Sequence, residues 1–345
     1  MGFQSLPVDL VSALPELPCP IYLERHGRMV LYAMPGDEPH AMLGHAGADL
    51  EVHVPTNDMR ALRILEVLFK QALESQSGPV GDRGRRVVAF AVALLDPLFG
   101  PEASINPTAF AAGQAAVDLL VGALALDPAL ARAIIGAHTP TGGPKRSSGS
   151  SCAPTEARKF AGRALDGLAC AITLATTLDP YEADLEGTTL VELGRGVAFR
   201  DLGLPRIAAD KAGRRTRPGP GGTDAVHGHP ALGVKLIAEA LGSTPAWTTI
   251  VAGHHERLDR SGYPEGIGGV ELPRSIRIAG LADSFASLIA PEAWENVRAA
   301  DEAIGVLRHG AHNRFGDDLV LVLVSLLKSG RLLPMRRGLI EAARR

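Results

Sequence analysis

The apolar positions of this chain change their period along its length. Ile21-Tyr22-Leu23 and the run Met29 to Ala33 are strand-like, joined through Arg25-His26-Gly27-Arg28, which suits a hairpin turn. Glu51-Val52-His53-Val54 is another short alternating candidate. Asn57 or Asp58 is placed to cap a helix in which Leu62, Leu65, Phe69 and Leu73 recur on one face. These signals predict a small α+β domain over residues 1–75.

From Arg85 to His138 the chain is rich in Ala, Leu and Val at helical spacing, broken at Pro97, Pro107 and Pro128. Two or three helices are expected there, in a helical connector over 76–138. Residues 139–155 change character, with Pro140, Gly142, Gly143, Pro144 and then Ser147 to Ser151, a composition that reads as a flexible linker. From 156 to 345 the pattern is helical again, interrupted by a second insert from Lys211 to Thr223 that carries Arg214, Arg215 and Arg217. Val234, Ile237, Ala238 and Leu241 fall on one helical stripe, with Pro230 near its start. The run Leu319 to Val324, extended by Leu326 and Leu327, fits a buried helix. The fold class expected is mainly α.

Composition narrows the function classes. With 345 residues, of which 46% are hydrophobic and 21% charged, the chain can bury a sizeable core and is neither disordered nor fibrous. A net charge of -3 argues against a nucleic-acid coat and a polybasic membrane anchor, so neither DNA nor a membrane is expected as a partner. Cys19, Cys152 and Cys170 show no pairing or metal spacing and read as free thiols of a reducing compartment. Val87 to Leu95 is far short of the ~20 residues a membrane helix needs, and Met1-Gly2-Phe3-Gln4 lacks a basic region followed by an apolar core. A cytoplasmic location is the expectation.

Chemistry concentrates in one region. Of eleven histidines, His227, His229, His254 and His255 lie within one short stretch. Imidazole and carboxylate hold divalent iron, manganese or zinc. Adjacent residues on a helix point about 100° apart, so His254 and His255 can serve different ions, or one can support the other. Chance clustering of core or surface histidines is the alternative. His26, His40, His45 and His53 fit no ligand pattern, and Gly142-Gly143-Pro144-Lys145 is not a phosphate loop because Pro144 interrupts the Gly-Lys step.

The stretch His254-His255-Glu256-Arg257-Leu258-Asp259-Arg260-Ser261-Gly262-Tyr263-Pro264 resembles the signature of the HD-GYP family, metal-dependent phosphodiesterases of the HD superfamily that open cyclic-di-GMP. Asp201 lies 28 residues before His229, His255 lies 26 after His229, and Asp283 lies 28 after His255, intervals similar to the family's. Arg277-Ile278, Ala282-Asp283 with Phe285, and Phe315-Gly316-Asp317-Asp318-Leu319-Val320 extend the resemblance over about residues 155–330. It implies an HD-type helical bundle over 156–345 behind the N-terminal α+β unit. It also implies that Asp201, His229, His254, His255 and Asp283 hold metal, with Asp201 catalytic as well. One or two ions of iron, manganese or zinc are implied, a metal-free protein remaining open. Gly262, Tyr263, Pro264 and Arg200 would form the surface facing the substrate or partner.

The chain departs from that pattern where the chemistry is most demanding. The family's His-Asp pair reads Arg200-Asp201, and guanidinium has no lone pair to give a metal; the structural alternative is that Arg200 pairs with Asp201 and a salt bridge replaces the missing metal's charge. The expected Lys three residues on is Leu204, no histidine lies between His138 and His227, and Glu292-Ala293-Trp294-Glu295 stands where an Arg-Pro-Tyr-Arg stretch is expected. The expectation is a degenerate HD-GYP protein of cyclic-di-nucleotide signalling. It would bind cyclic-di-GMP, a related nucleotide, or a signalling protein through the Gly262-Tyr263-Pro264 surface, with weak or no hydrolysis. The alternative is an active cyclic-di-GMP phosphodiesterase with a rearranged metal site.

Overall fold

A computed structural model of the chain describes residues 3–7, 11, 17, 19–25, 28–38, 51–55, 69–70, 72–74, 80–137, 156–178, 185–207, 226–289, 305 and 310–332. Outside these lie the Asn57/Asp58 cap with Leu62 and Leu65, His26, His40, His45 and His138. The linker 139–155 with Cys152, the insert 211–223 and the stretch Glu292-Ala293-Trp294-Glu295 also lie outside them.

The N-terminal unit is a four-stranded antiparallel sheet of β1 (Phe3–Pro7), β2 (Ile21–Arg25), β3 (Arg28–Ala33) and β4 (Glu51–Pro55), in the order β1-β4-β2-β3. The alternation expected of half-buried strands holds: Ile21, Leu23, Val52 and Val54 are buried, while Glu24 and Arg25 are exposed. The expected hairpin and third strand are present. β1 was not foreseen, because Phe3-Gln4-Ser5-Leu6-Pro7 carries too few β-branched residues to stand out before its pairing with β4 is known.

The helices begin where the sequence supplies caps. After α1 (Val80–Leu95) and a 3₁₀ turn (Asp96–Phe99), α2 (Pro107–Leu126) starts at Asn106, whose side chain accepts from the Thr108 and Ala109 N–H groups. Asp127 caps α3 (Pro128–Ile134) in the same way. Then come α4 (Glu156–Leu178) and α5 (Leu190–Phe199), the latter opened by a reciprocal Thr189/Glu192 capping box. Next are α6 (His229–Leu241), with Pro230 in its first turn, and α7 (Thr248–Gly253). Last come α8 (Arg274–Ile289), α9 (Ala311–Phe315) and α10 (Asp317–Lys328). The breaks at Pro97, Pro107 and Pro128, the stripe of α6 and the buried apolar face of α10 all match the pattern read from the sequence.

α4 is the central helix, lying against α8, α5, α1, α2, α3 and α10. Aromatic contacts tie the layers together: Phe99 stacks on Phe160 at 6.1 Å, Phe110 meets Phe199 at 5.0 Å, and Phe199 meets Trp247 at 6.0 Å. The connector helices α1 to α3 therefore share one apolar core with the C-terminal bundle. Polar links reinforce this. Arg195 of α5 makes two hydrogen bonds to the Asp118 carboxylate of α2, at 2.8 and 2.6 Å. Arg206 donates to the carbonyls of Leu98, Glu102 and Leu202. Among the described helices, α2 has the length and apolarity to cross a membrane, yet half of that stretch is buried in the protein. Cys19 and Cys170 are buried and form no disulfide among the described residues.

Candidate metal centre

Four separate stretches deliver the candidate ligands to one place. Arg200 and Asp201 lie in the turn that ends α5, and His229 opens α6. His254 and His255 follow the last residue of α7, and Asp283 sits inside α8. The turn after α5 approaches the start of α6 main chain to main chain. A Cβ on Gly203 would lie 2.3 Å from the His229 carbonyl oxygen, so this approach requires glycine.

His229 Nδ1 stands 2.8 Å from the Val226 carbonyl, and His254 Nδ1 stands 2.8 Å from the Val251 carbonyl. A carbonyl only accepts, so each Nδ1 carries the proton and each Nε2 presents a lone pair. Those two Nε2 atoms face each other at 3.2 Å, where neither can donate to the other. Two nitrogens bound to one ion at ~2.0–2.1 Å in ordinary geometry are themselves about 2.9–3.4 Å apart, so this spacing fits a shared cation. The ligand atoms of His229, His254 and His255 all lie within 4.8 Å of one another. Asp201 Oδ1 is 3.6 Å from His229 Nε2 and 4.0 Å from His254 Nε2. Burial pushes the His254 imidazole down to about 3, and burial followed by the neighbouring His254 pushes His255 down as well. Both are thus neutral at neutral pH, the form that binds metal. The donor set fits a divalent ion at this corner.

The other corner is occupied by Arg200. Its side chain is fully buried, and its Nε donates to Asp283 Oδ1 at 2.9 Å while standing 3.5 Å from Asp201 Oδ2. Nη1 donates to the Val197 carbonyl at 2.7 Å and Nη2 to the Arg163 carbonyl at 3.4 Å. The Arg163 guanidinium adds a second cation 3.8 Å from Asp283 Oδ1. Burial alone would raise the Asp283 carboxyl. Arg200 first, then His254, His255 and Arg163, outweigh it and hold that group well below the usual carboxylate range. The surface position expected for Arg200 is therefore corrected: with two carboxylates and two carbonyls to satisfy it, the guanidinium turns inward.

Tyr263 borders the histidines. Its ring stacks on His255 at 4.5 Å and on the exposed His227 at 4.0 Å. Its phenol is pushed up to about 12, by burial first and then by the Asp283 and Asp201 carboxylates. Gly262 and Tyr263 are half-buried and Pro264 is exposed, so this loop lies at the surface beside the histidine cluster. Glu256 holds it there: its buried carboxylate accepts from the Glu265 and Gly266 N–H groups at 2.7 and 3.1 Å.

The five ligand candidates converge, but Gly167 and Arg163 escaped the sequence reading. A Cβ on Gly167 would lie 2.6 Å from Arg200 Nη1 and 3.1 Å from its guanidinium carbon, so α4 admits Arg200 only because residue 167 lacks a side chain. A glycine in the middle of a helix was the available signal.

Residues 182–319 match the family described as HD domain. Over 158 residues the chain is 29% identical to a probable cyclic di-GMP phosphodiesterase of Vibrio cholerae serotype O1, covering 43% of this chain and 35% of that protein. Over 80 residues it is 32% identical to the cyclic di-GMP phosphodiesterase response regulator RpfG of Xanthomonas campestris pv. campestris, covering 23% and 21%. The matches thus span about a third or less of the length of these curated relatives. Among solved structures, Bd1817, a HDG"Y"P protein from Bdellovibrio bacteriovorus, shares the fold with a TM-score of 0.60 at 15% identity, covering 95% of this chain and 100% of that one. The chain carries an HD domain. Its His254 to Pro264 stretch is similar to the HD-GYP signature, and the relatives above are named as cyclic di-GMP phosphodiesterases.

Proposed function

We propose that this chain is a degenerate HD-GYP protein of cyclic-dinucleotide signalling, in the cytoplasm, that works by binding with weak or no hydrolysis. What it binds is cyclic-di-GMP or a related nucleotide at the histidine cluster, or a signalling protein on the Gly262-Tyr263-Pro264 surface. The relatives named as cyclic di-GMP phosphodiesterases support the ligand class. The observation that carries the reading is Arg200, which stands in the His-Asp pair and engages Asp283 with a 2.9 Å hydrogen bond. His229, His254 and His255, with Asp201 beside them, are the residues that would hold a divalent iron, manganese or zinc ion. When bound, such an ion supplies a Lewis acid and an acidified water. Asp201 lies 3.6 Å from His229 Nε2, 4.0 Å from His254 Nε2 and 3.5 Å from Arg200 Nε, so it would orient whatever sits at the cluster. Asp283 is engaged by two guanidiniums and has little left to offer a second ion.

The test is purified full-length chain loaded with Mn²⁺, Fe²⁺ or Zn²⁺ and incubated with cyclic-di-GMP, with binding measured by equilibrium dialysis and linear product by chromatography. Saturable binding is expected, with turnover at least a thousandfold below the ~1–10³ s⁻¹ typical of enzymes. Turnover in that range, abolished in Asp201→Ala, refutes the proposal. It would establish instead the second reading, an active phosphodiesterase with a rearranged metal site, which the facing Nε2 lone pairs of His229 and His254 favour.

A further inference from the structure

The Asp201/Asp283 half of the centre is already balanced in charge by the protein itself. Arg200 has no exposed surface, and every nitrogen of its guanidinium has a named partner: Asp283 for Nε, Val197 for Nη1, Arg163 for Nη2. Three bonds in three directions fix a planar group in one place, where its permanent charge faces both carboxylates. The seat was made on the opposite wall. At Gly167 any Cβ would come within 2.6 Å of Nη1, so the helix behind the guanidinium is hollowed at that one position. An ion entering this corner would meet a like charge and would have to compete with Arg200 for Asp283. The lone pairs of His229 and His254, 3.2 Å apart on the other side of Asp201, are untouched by this arrangement.

We propose that the Arg200 guanidinium, seated against Gly167, takes the place of a second metal ion, so that the site holds a single divalent cation on His229, His254 and His255 with Asp201. Asp283 serves Arg200 and not the metal. The inference rests on the metal-binding reading above and goes further, fixing the stoichiometry and removing Asp283 from the ligand set. It also makes that half of the centre complete before any ion arrives.

The test is equilibrium dialysis of the full chain against Mn²⁺ and, separately, Zn²⁺, with elemental analysis and a circular dichroism spectrum of each sample. Wild type is expected to retain one ion per chain. The pair Arg200→Met/Asp283→Asn, which removes the cation together with the carboxylate it answers, is expected to keep that ion with affinity lowered no more than about tenfold. Arg200→His is expected to take up a second ion through Asp201 and the released Asp283. Two ions in wild type, loss of the ion beyond about a hundredfold in the double variant, or a folded Arg200→His that stays at one ion each overturn the inference and leave metal binding intact. A folded wild-type chain that binds no ion overturns the metal-binding reading itself. Should Arg200→His fail to fold, wild type and the double variant still decide the question.

Discussion

Gly167→Ala is expected to destabilise the protein, against the ordinary rule for helix interiors. Inside a helix, alanine is favoured over glycine by about 0.8–1 kcal/mol. Here the added methyl would sit 2.6 Å from Arg200 Nη1 and 3.1 Å from the guanidinium carbon, well inside contact distance. The guanidinium cannot swing aside freely, because its Nε, Nη1 and Nη2 are bonded to Asp283, Val197 and Arg163. Moving it sacrifices at least one charged hydrogen bond, each worth ~1.5–3 kcal/mol. After the helix-propensity gain is subtracted, the net loss is about 0.5–2 kcal/mol, within reach of the cost of other overpacked cores. Urea denaturation followed by circular dichroism reads it directly. In the Arg200→Met/Asp283→Asn background the same substitution should be neutral or mildly stabilising, giving a coupling of about 2 kcal/mol. A Gly167→Ala protein that is more stable than wild type by about 1 kcal/mol would refute the reasoning.

Other expectations follow from the same contacts. In chelator-treated protein His254 stays neutral down to about 3, whereas the unfolded chain takes up a proton near 6.5. Stability from this group is therefore full above about pH 6.5 and falls by about 1.4 kcal/mol per pH unit below it, or roughly 2 kcal/mol by pH 5. A flat profile between pH 7 and 5 in urea melts would contradict the burial of the neutral ring. Glu256→Ala should release the Glu265 and Gly266 amides, speeding their hydrogen exchange by about 30-fold, for a local cost of ~2 kcal/mol, while amides of α1 to α3 are unchanged. Arg195→Lys should cost about 1 kcal/mol in urea melts despite keeping the charge, because a lysine cannot reproduce the paired bonds to Asp118.

Much of the centre was legible because its residues carry their chemistry in their type. Asp201, His229, His254, His255 and Asp283 are recognisable at their intervals, and the caps and prolines that end the helices are local signals. What could not be read are relations between distant positions. A pairing of Arg200 with Asp201, its neighbour in the chain, was open to the sequence, but its bonds to Asp283 and to the Arg163 carbonyl join residues 83 and 37 positions away. Gly167 was silent because its role is an absence of volume, which becomes visible only when Arg200 is placed opposite. The strand β1 likewise declares itself only through its partner β4, and the connector read as a separate segment shares its core with the bundle through contacts such as Phe110–Phe199.

The close approach at Gly203 has a consequence for how this chain tolerates change. Since the turn bearing Asp201 rests directly on the carbonyl of His229, backbone against backbone, the spacing between those two donors is inherited from peptide geometry. A single methyl at residue 203 would pry the two donors apart at once.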